Sequence, residues 1–282
     1  MGNYCCCFSK RQTLSYEIIL KLPHDGQCFQ LGNNTWNYKE NINIQLRECY
    51  KEPFTHWIVY NDETPEKTIS TGAHAKGIVA WNDRSISWLI HSVPKFPKAF
   101  DGTNQFPDID HGELIYGQSF VFIKMGIEHL DGILNQVFIM HPNIYISNFD
   151  YSLYKDLHKS KQDSIYKINN SLEHVAKSPN YHIDIYEGML LPAFGGPIHT
   201  ETWIRGHELP DSDKCKKAAA IHWAEKNLAY TYTHDHSKYC YSDKGWTAIG
   251  DLNRMTSQEK RGGGFLVIRD IPIAQLFKGI ML

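Results

Sequence analysis

The sequence predicts a mixed α/β fold made of two pseudo-symmetric sheet-and-helix halves that face one another. Strand-like and helix-like segments occur in both halves of the 282-residue chain, and no stretch is long enough to be a linker between independent domains. The tripeptide His-x-Lys also occurs twice, at His74–Lys76 and His236–Lys238, 162 positions apart. That spacing is more than half the chain, as two related halves would give. We expect a flexible segment at 1–13 and one domain over 14–282, with halves at about 14–150 and 151–282.

In the first half, apolar or alternating runs bounded by turn residues predict strands at 14–22, 56–62, 75–81, 86–93 and 118–125. Ile127, Leu130, Ile133, Leu134, Val137 and Phe138 recur at helical spacing, which predicts a helix over 127–138 packed on that sheet. The polar stretch 155–178 reads as a surface helix. In the second half, 182–191, 199–206, 246–252 and 265–270 predict strands, and 214–228 and 271–280 predict helices.

Composition narrows the function. A formal charge of −2 excludes a generally basic nucleic-acid coat, so a polyanion must be held by a local patch. Protonating all 15 histidines would carry the charge to +13, and histidine titrates near pH ~6.5, so the surface turns cationic in acid. The seven cysteines make a poor disulfide framework, because Cys5, Cys6 and Cys7 crowd one end. No Cys/His group has zinc-like spacing, and no metal or other cofactor is expected. MGNYCCCFSK lacks the apolar run of a secretory signal, and no later stretch is long enough for a membrane-spanning helix. Gly2 offers a myristoylation site and Cys5, Cys6 and Cys7 offer palmitoylation sites, the two lipid signals that stable anchoring requires. An unmodified tail with free thiols is the alternative. The expected location is the cytoplasm or a membrane surface reached by acylation, and a histidine acid would be served there either by action in an acidic vesicle or by a neighbouring carboxylate that raises its pKa.

On a strand, residues i and i+2 share a face, so each His-x-Lys pair presents an imidazole beside a fixed positive charge. Cleaving a phosphodiester without a metal needs a nucleophile, an acid for the leaving oxygen and cations to spread charge on pentacoordinate phosphorus. Two such pairs supply all three, whereas a single pair arises by chance on solvated surfaces. From His236 the order is His-x-Lys, four residues, Asp243, six residues, then Gly250-Asp251-Leu252-Asn253. This resembles the HxKx4Dx6GSxN signature of the phospholipase D superfamily, with Asp251 in place of its serine. At the matching offsets from His74 stand Trp81, for the aspartate, and His91, for the asparagine.

The stretches YNDE, GAHAKG, WLIHSVPKFP, YGQSF, DHSKYC, GDLNR and QEKRGGG, from Tyr60 to Gly264, resemble the deoxyribonuclease II family in that family's order. The resemblance implies a phospholipase D-like fold whose two halves share one active site, and a metal-independent acid endonuclease acting on DNA. It carries over His74, Lys76, His236, Lys238 and His91 as catalytic residues, joined by Asp251 and Asn253. His74 is expected to attack phosphorus and form a phosphohistidine. His236 is then expected to protonate the departing 5′ oxygen and to activate the water that releases a 3′-phosphate. Asp235 or Asp251 is expected to fix a histidine tautomer, and Asp235 to raise the pKa of His236. Lys95 and Arg254 are expected to touch flanking phosphates, surface charge being the alternative, and His91 without the resemblance reads as a core histidine. The RGGG glycines are expected to allow close backbone packing beside the site.

The chain departs from the family in its cysteines. Members are secreted or lysosomal and disulfide-bonded, yet Ala248 stands where the partner of Cys240 often lies, as suits a reducing compartment. The abundance of Asn, Lys, Ile and Tyr fits an AT-rich coding sequence, such as a viral copy of a cellular nuclease gene. Two further functions compete: a DNA-binding decoy that keeps the fold with little catalysis, and a phospholipase D-type phosphodiesterase acting on lipids at the membrane.

Overall fold

The computed structural model describes residues 14–157 and 160–282. Gly2, Cys5, Cys6 and Cys7, the expected acylation sites, lie outside the described residues. The chain runs through β1 (Ser15–Lys21), β2 (Cys28–Gly32), β3 (Thr35–Lys39), α1 (Ile42–Cys49), β4 (His56–Asn61), β5 (Lys76–Trp81), β6 (Ser85–His91), α2 (His111–Leu114), β7 (Gln118–Gly126) and α3 (Leu130–Ile139). It continues through β8 (Ile144–Ser147), α4 (Ser152–Leu157), β9 (Asp163–Lys167), β10 (Leu172–Lys177), α5 (Leu191–Phe194), β11 (Ile198–Thr202) and β12 (Cys215–Lys217). Last come β13 (Ile221–Trp223), β14 (Leu228–Tyr230), β15 (Lys238–Ser242), β16 (Trp246–Gly250), β17 (Gly263–Arg269) and α6 (Ile271–Ile280).

Two large sheets form, in the orders β3-β2-β1-β7-β6-β5-β4-β8 and β12-β11-β15-β16-β17-β10-β9, with β13 and β14 as a separate pair. The consecutive antiparallel strands β5-β6-β7 of the first sheet correspond to β15-β16-β17 of the second, and a helix follows each trio. The mixed α/β, two-halved architecture is therefore the one the sequence predicts. The apolar runs that looked like strands are buried on both faces, so alternate residues enter different cores. Ile18 and Leu20 of β1, with Leu266 and Ile268 of β17, enter a central core shared by both halves. Ile19 faces an outer core roofed by α1, and Phe265 and Val267 face a second outer core near Tyr186 and α5.

Several elements differ from the expected ones. The stretch 155–178, read as a polar helix, is mainly the hairpin β9–β10, because β10 lies inside the second sheet and buries His174 and Lys177 despite their polarity. Residues 182–191 form a π-helical turn at Tyr186–Leu190 that leads into α5, not a strand. The alanine-rich stretch 214–228 breaks into β12, β13 and β14, with β12 adding in parallel to β11, so tertiary pairing overrides helix propensity. The β2–β3 hairpin turns at Asn33 and Asn34, both at positive φ (53° and 55°), as a two-residue hairpin loop requires. The helix expected at 127–138 forms as α3, but it packs on β9 and β10 of the opposite half and so ties the halves together. Cys240 faces Ala248 directly across β15 and β16 and is a free, buried thiol.

The two halves also exchange backbone bonds. The N–H of His74 donates to Gly262 O (2.7 Å) and that of Gly262 to Gly72 O (3.0 Å). Reciprocally, the N–H of His236 donates to Gly117 O (2.8 Å) and that of Gly117 to His234 O (2.7 Å). Each His-x-Lys segment is thus pinned by the residue that precedes the third strand of the other trio. The close approach demands glycine: a Cβ at Gly262 would lie 1.9 Å from Met140 O, which is backbone and has little room to yield. Gly262→Ala is expected to cost about 1–3 kcal/mol by overpacking, a fall of roughly 3–10 °C in the melting temperature of a chain of this size. Thermal unfolding followed by circular dichroism checks it.

Candidate active site

Neither histidine lies within a strand. His74 and His236 end loops, and Lys76 and Lys238 open β5 and β15. Because the backbone is already extended there, each lysine still follows its histidine onto one face. The crossed backbone bonds bring the two loops together, close enough that Lys76 and Lys238 each disfavour protonation of His236.

Lys76 is 3% exposed and ion-paired with Asp62, itself 3% exposed. Asp62 also takes an ion pair from Arg261 Nη2 at 3.2 Å and lies 3.9 Å from His74 Nε2. Burial works against ionising Asp62, but Lys76, His74 and Arg261 together hold its carboxyl well below the usual range. Lys238 has no such partner. Its Nζ donates to the carbonyl of His236 at 2.6 Å, and burial, with repulsion from Lys76, pushes its pKa down to about 7. The cluster holds more cationic than anionic groups, so a phosphodiester entering it meets an unfilled demand for negative charge.

The imidazoles are held differently. His74 Nδ1 lies 2.8 Å from the backbone oxygen of Asp251. A carbonyl only accepts, so the proton sits on Nδ1 and Nε2 keeps its lone pair. His236 Nδ1 lies 3.4 Å from the amide nitrogen of Gln118, whose oxygen accepts from Ser92 Oγ at 2.5 Å, and Ser92 Oγ accepts in turn from the Ser119 N–H at 2.9 Å. This relay presents an amide N–H to Nδ1, so neutral His236 carries its proton on Nε2. Rings do the rest of the holding: Tyr116 stacks on His236 (centroids 4.2 Å, 10°) and Trp203 meets it edge-on (3.8 Å, 90°). Burial, with the nearby lysines, lowers His74 to about 3 and His236 to about 2, so the protein's own groups favour both neutral imidazoles.

The other expected residues fall in varied places. His91 is buried, accepts the Val93 N–H on Nδ1 (3.2 Å), leaves Nε2 without a partner, and is lowered to about 3 by burial and by Lys76 and Lys238. Asp251 is buried too. One carboxyl oxygen accepts the Gly264 N–H at 2.9 Å, the other has no partner, and burial raises its pKa to about 7. It fixes a tautomer, that of His74, through its backbone and not its carboxyl. Asn253 is buried with its side-chain oxygen unpartnered, and no hydrogen bond joins it to either histidine. Lys95, half exposed, lies 3.6 Å from Glu113.

Two expectations need correction. Asp235 does not hold or raise His236: its carboxylate accepts the Ser237 N–H at 2.9 Å and lies against Gly117, on a different side of the loop. Arg254 does not face a flanking phosphate. It is 3% exposed, and its guanidinium is spent on Glu187 (2.8 Å), Asp211 (3.2 Å) and the carbonyls of Leu209 and Pro210. Sequence reasoning gave no role to Asp62, Arg261, Gln118, Tyr116 or Trp203. The first four lie inside YNDE, QEKRGGG and YGQSF, so the motifs marked the segments without showing which side chains converge.

A family model described as Deoxyribonuclease II matches residues 22–282. The chain belongs to the deoxyribonuclease II family. Over 258 residues it is 32% identical to Deoxyribonuclease-2 of Caenorhabditis elegans, covering 83% of this chain and 66% of that protein, just under two thirds of its length. It is 29% identical over 282 residues to Deoxyribonuclease-2-beta of Homo sapiens (90% and 77%) and 31% identical over 255 residues to that of Mus musculus (81% and 70%). Family membership agrees with the phospholipase D-like arrangement of two sheets. Within this member, Arg254→Ala is expected to destabilise by about 1.5–3 kcal/mol, the usual worth of charge-assisted hydrogen bonds, because Glu187 and Asp211 are partly exposed and can be solvated once the guanidinium is gone. It should leave the salt dependence of DNA binding unchanged, because no phosphate contact is lost. Denaturant unfolding and fluorescence anisotropy read the two effects separately.

Proposed function

We propose that the chain is a metal-independent endonuclease that cleaves DNA phosphodiesters best in acid, leaving 3′-phosphate and 5′-hydroxyl ends. The unlike ring environments carry this reading: His74 keeps a lone pair on Nε2, and His236, once protonated on both nitrogens with the Gln118 amide turned to accept from Nδ1, offers its Nε2 proton. The lone pair of His74 attacks phosphorus as the P–O5′ bond breaks, and protonated His236 gives its proton to the departing 5′ oxygen. His74 keeps its Nδ1 proton throughout, donating it to the Asp251 carbonyl as a hydrogen bond. Water, giving a proton to the now neutral His236, then attacks the phosphohistidine, and the P–N bond breaks to release the 3′-phosphate. Lys76 and Lys238 carry the charge of the equatorial oxygens, and Asp62 and Arg261 hold Lys76 in place. His91, whose charge state is coupled to both lysines, supports the phosphate-bound state, and buried Asn253 supports the loop that follows Asp251.

The acid preference follows from three groups. His236 works as an acid only when protonated, and a bound phosphate raises its depressed pKa while low pH fills it. As pH rises through about 7, Lys238 loses its charge and Asp251 gains one, so the pocket becomes more negative by two charges. Below about 3, His74 becomes protonated and loses its lone pair. Activity is therefore bell-shaped, with its maximum between those limits.

Nicking of supercoiled plasmid in EDTA from pH 4 to 8 tests this. We expect cleavage that falls steeply above pH 7, 3′-phosphate ends, and losses of at least about 100-fold in His74→Ala and in His236→Ala. Binding without cleavage at every pH, or full activity in both variants, would overturn it in favour of a DNA-binding decoy.

A further inference from the structure

The mechanism above uses only charges and imidazoles, yet a ring system from both halves surrounds His236. Tyr116 comes from the loop before β7 and Trp203 from the end of β11, and these two rings meet edge-on at 4.9 Å and 89°. The Arg205 guanidinium lies over Trp203, 4.5 Å from its centroid. Arg205 is exposed, has no carboxylate partner among the described residues, and sits near enough to His236 to disfavour its protonation. The loop is fixed in place: the Arg205 N–H lies 3.4 Å from Met255 Sδ, and the Thr256 N–H donates to His207 O at 3.1 Å. Beside His74 the surroundings are different. A groove of about 810 Å³ there is lined by Ser70, Gly72, Lys260 and Arg261, with Glu259 and the imidazole of His182, and no Phe, Tyr or Trp lines it.

The asymmetry gives the substrate strand a direction. If His236 protonates the 5′ oxygen, the nucleotide that departs with that oxygen must lie on the His236 side, and the one that keeps the phosphate on the His74 side. We infer that Tyr116 and Arg205, backed by Trp203, form the subsite for the departing nucleotide, with Tyr116 stacking its base and Arg205 reaching its next phosphate. Aromatic faces and guanidinium planes are what unstacked bases dock on in single-stranded DNA. The retained nucleotide, in the polar groove, is held through sugar and phosphate and little through its base. This inference rests on the roles assigned to His74 and His236.

An end-labelled single-stranded oligodeoxynucleotide with one stable abasic residue tests it, because two neighbouring bonds are scored in one digest. Cleavage of the bond 5′ of the abasic residue, where that residue departs, is expected to slow about tenfold relative to the intact strand. Cleavage of the bond 3′ of it is expected to slow no more than about twofold. In Tyr116→Leu the difference between the bonds should collapse whatever the overall rate, and in Tyr116→Phe it should persist. Arg205→Gln should fold normally and flatten the salt dependence by about one phosphate contact. Equal slowing at both bonds, or a difference that survives in Tyr116→Leu, would overturn the subsite while leaving the nuclease intact. Failure of the wild-type chain to cut any bond would instead overturn the nuclease reading and the subsite with it.

Discussion

Two lysine ammonium groups buried in one cluster set the terms for the rest of this structure. Burying an ammonium is costly unless it is paired. Lys76 is paired with Asp62 and, at 3.8 Å, with Glu63. Lys238 has no carboxylate partner among the described residues, Asp62 being committed to Lys76 and Arg261. Lys238 rests on a backbone carbonyl, and Asp251, a further acid of the cluster, is pushed up to about 7 by burial. The protein's own groups thus leave the site electrostatically incomplete. In the proposed reaction a phosphodiester completes it, and the charge that develops on phosphorus during attack completes it further, as transition-state stabilisation requires.

Such a cluster would spread apart if its walls could move. The crossed bonds between His74 and Gly262, and between His236 and Gly117, make each lysine-bearing loop part of the opposite half's framework. The shared core and α3, which grips β9 and β10, press the halves together behind the loops. Symmetry ends at the imidazoles. His74 is fixed by a carbonyl and His236 by an amide and two rings, so one scaffold gives two chemically unlike histidines.

The same partial symmetry explains what could be read from the sequence. The trio β5-β6-β7 and the pair β16-β17 were legible because strands buried on both faces must be continuously apolar, and α6 because Asp270 caps it just where the apolar period begins. Strand β10 was not legible, since His174 and Lys177 are polar residues buried by pairing that no local pattern reveals. The His-x-Lys pairs were legible as chemistry. The first copy's missing aspartate was not explicable until the fold was seen: Asp243 pairs with Lys278 of α6 at 2.8 Å, well away from the site, and Trp81 packs instead against Phe149 at 4.9 Å. Both positions tether a neighbouring segment, so charge and aromatic packing serve equally. Asp62, Gln118 and Trp203 act only through convergence from distant segments, and Arg254 and Asp235 were misjudged because exposure and side-chain direction have no signature in a motif.

The central claim is that Lys238 is a buried cation awaiting an anion. Carbon-13 labelling of the lysine side chains, with the Lys238 signal assigned by its loss in Lys238→Gln, allows its titration to be followed by NMR with and without orthophosphate. The account predicts a midpoint near pH 7 in the free protein, moving upward by at least about one unit when phosphate binds. A midpoint in the ordinary lysine range in the free protein, or one that phosphate leaves unchanged, would contradict it.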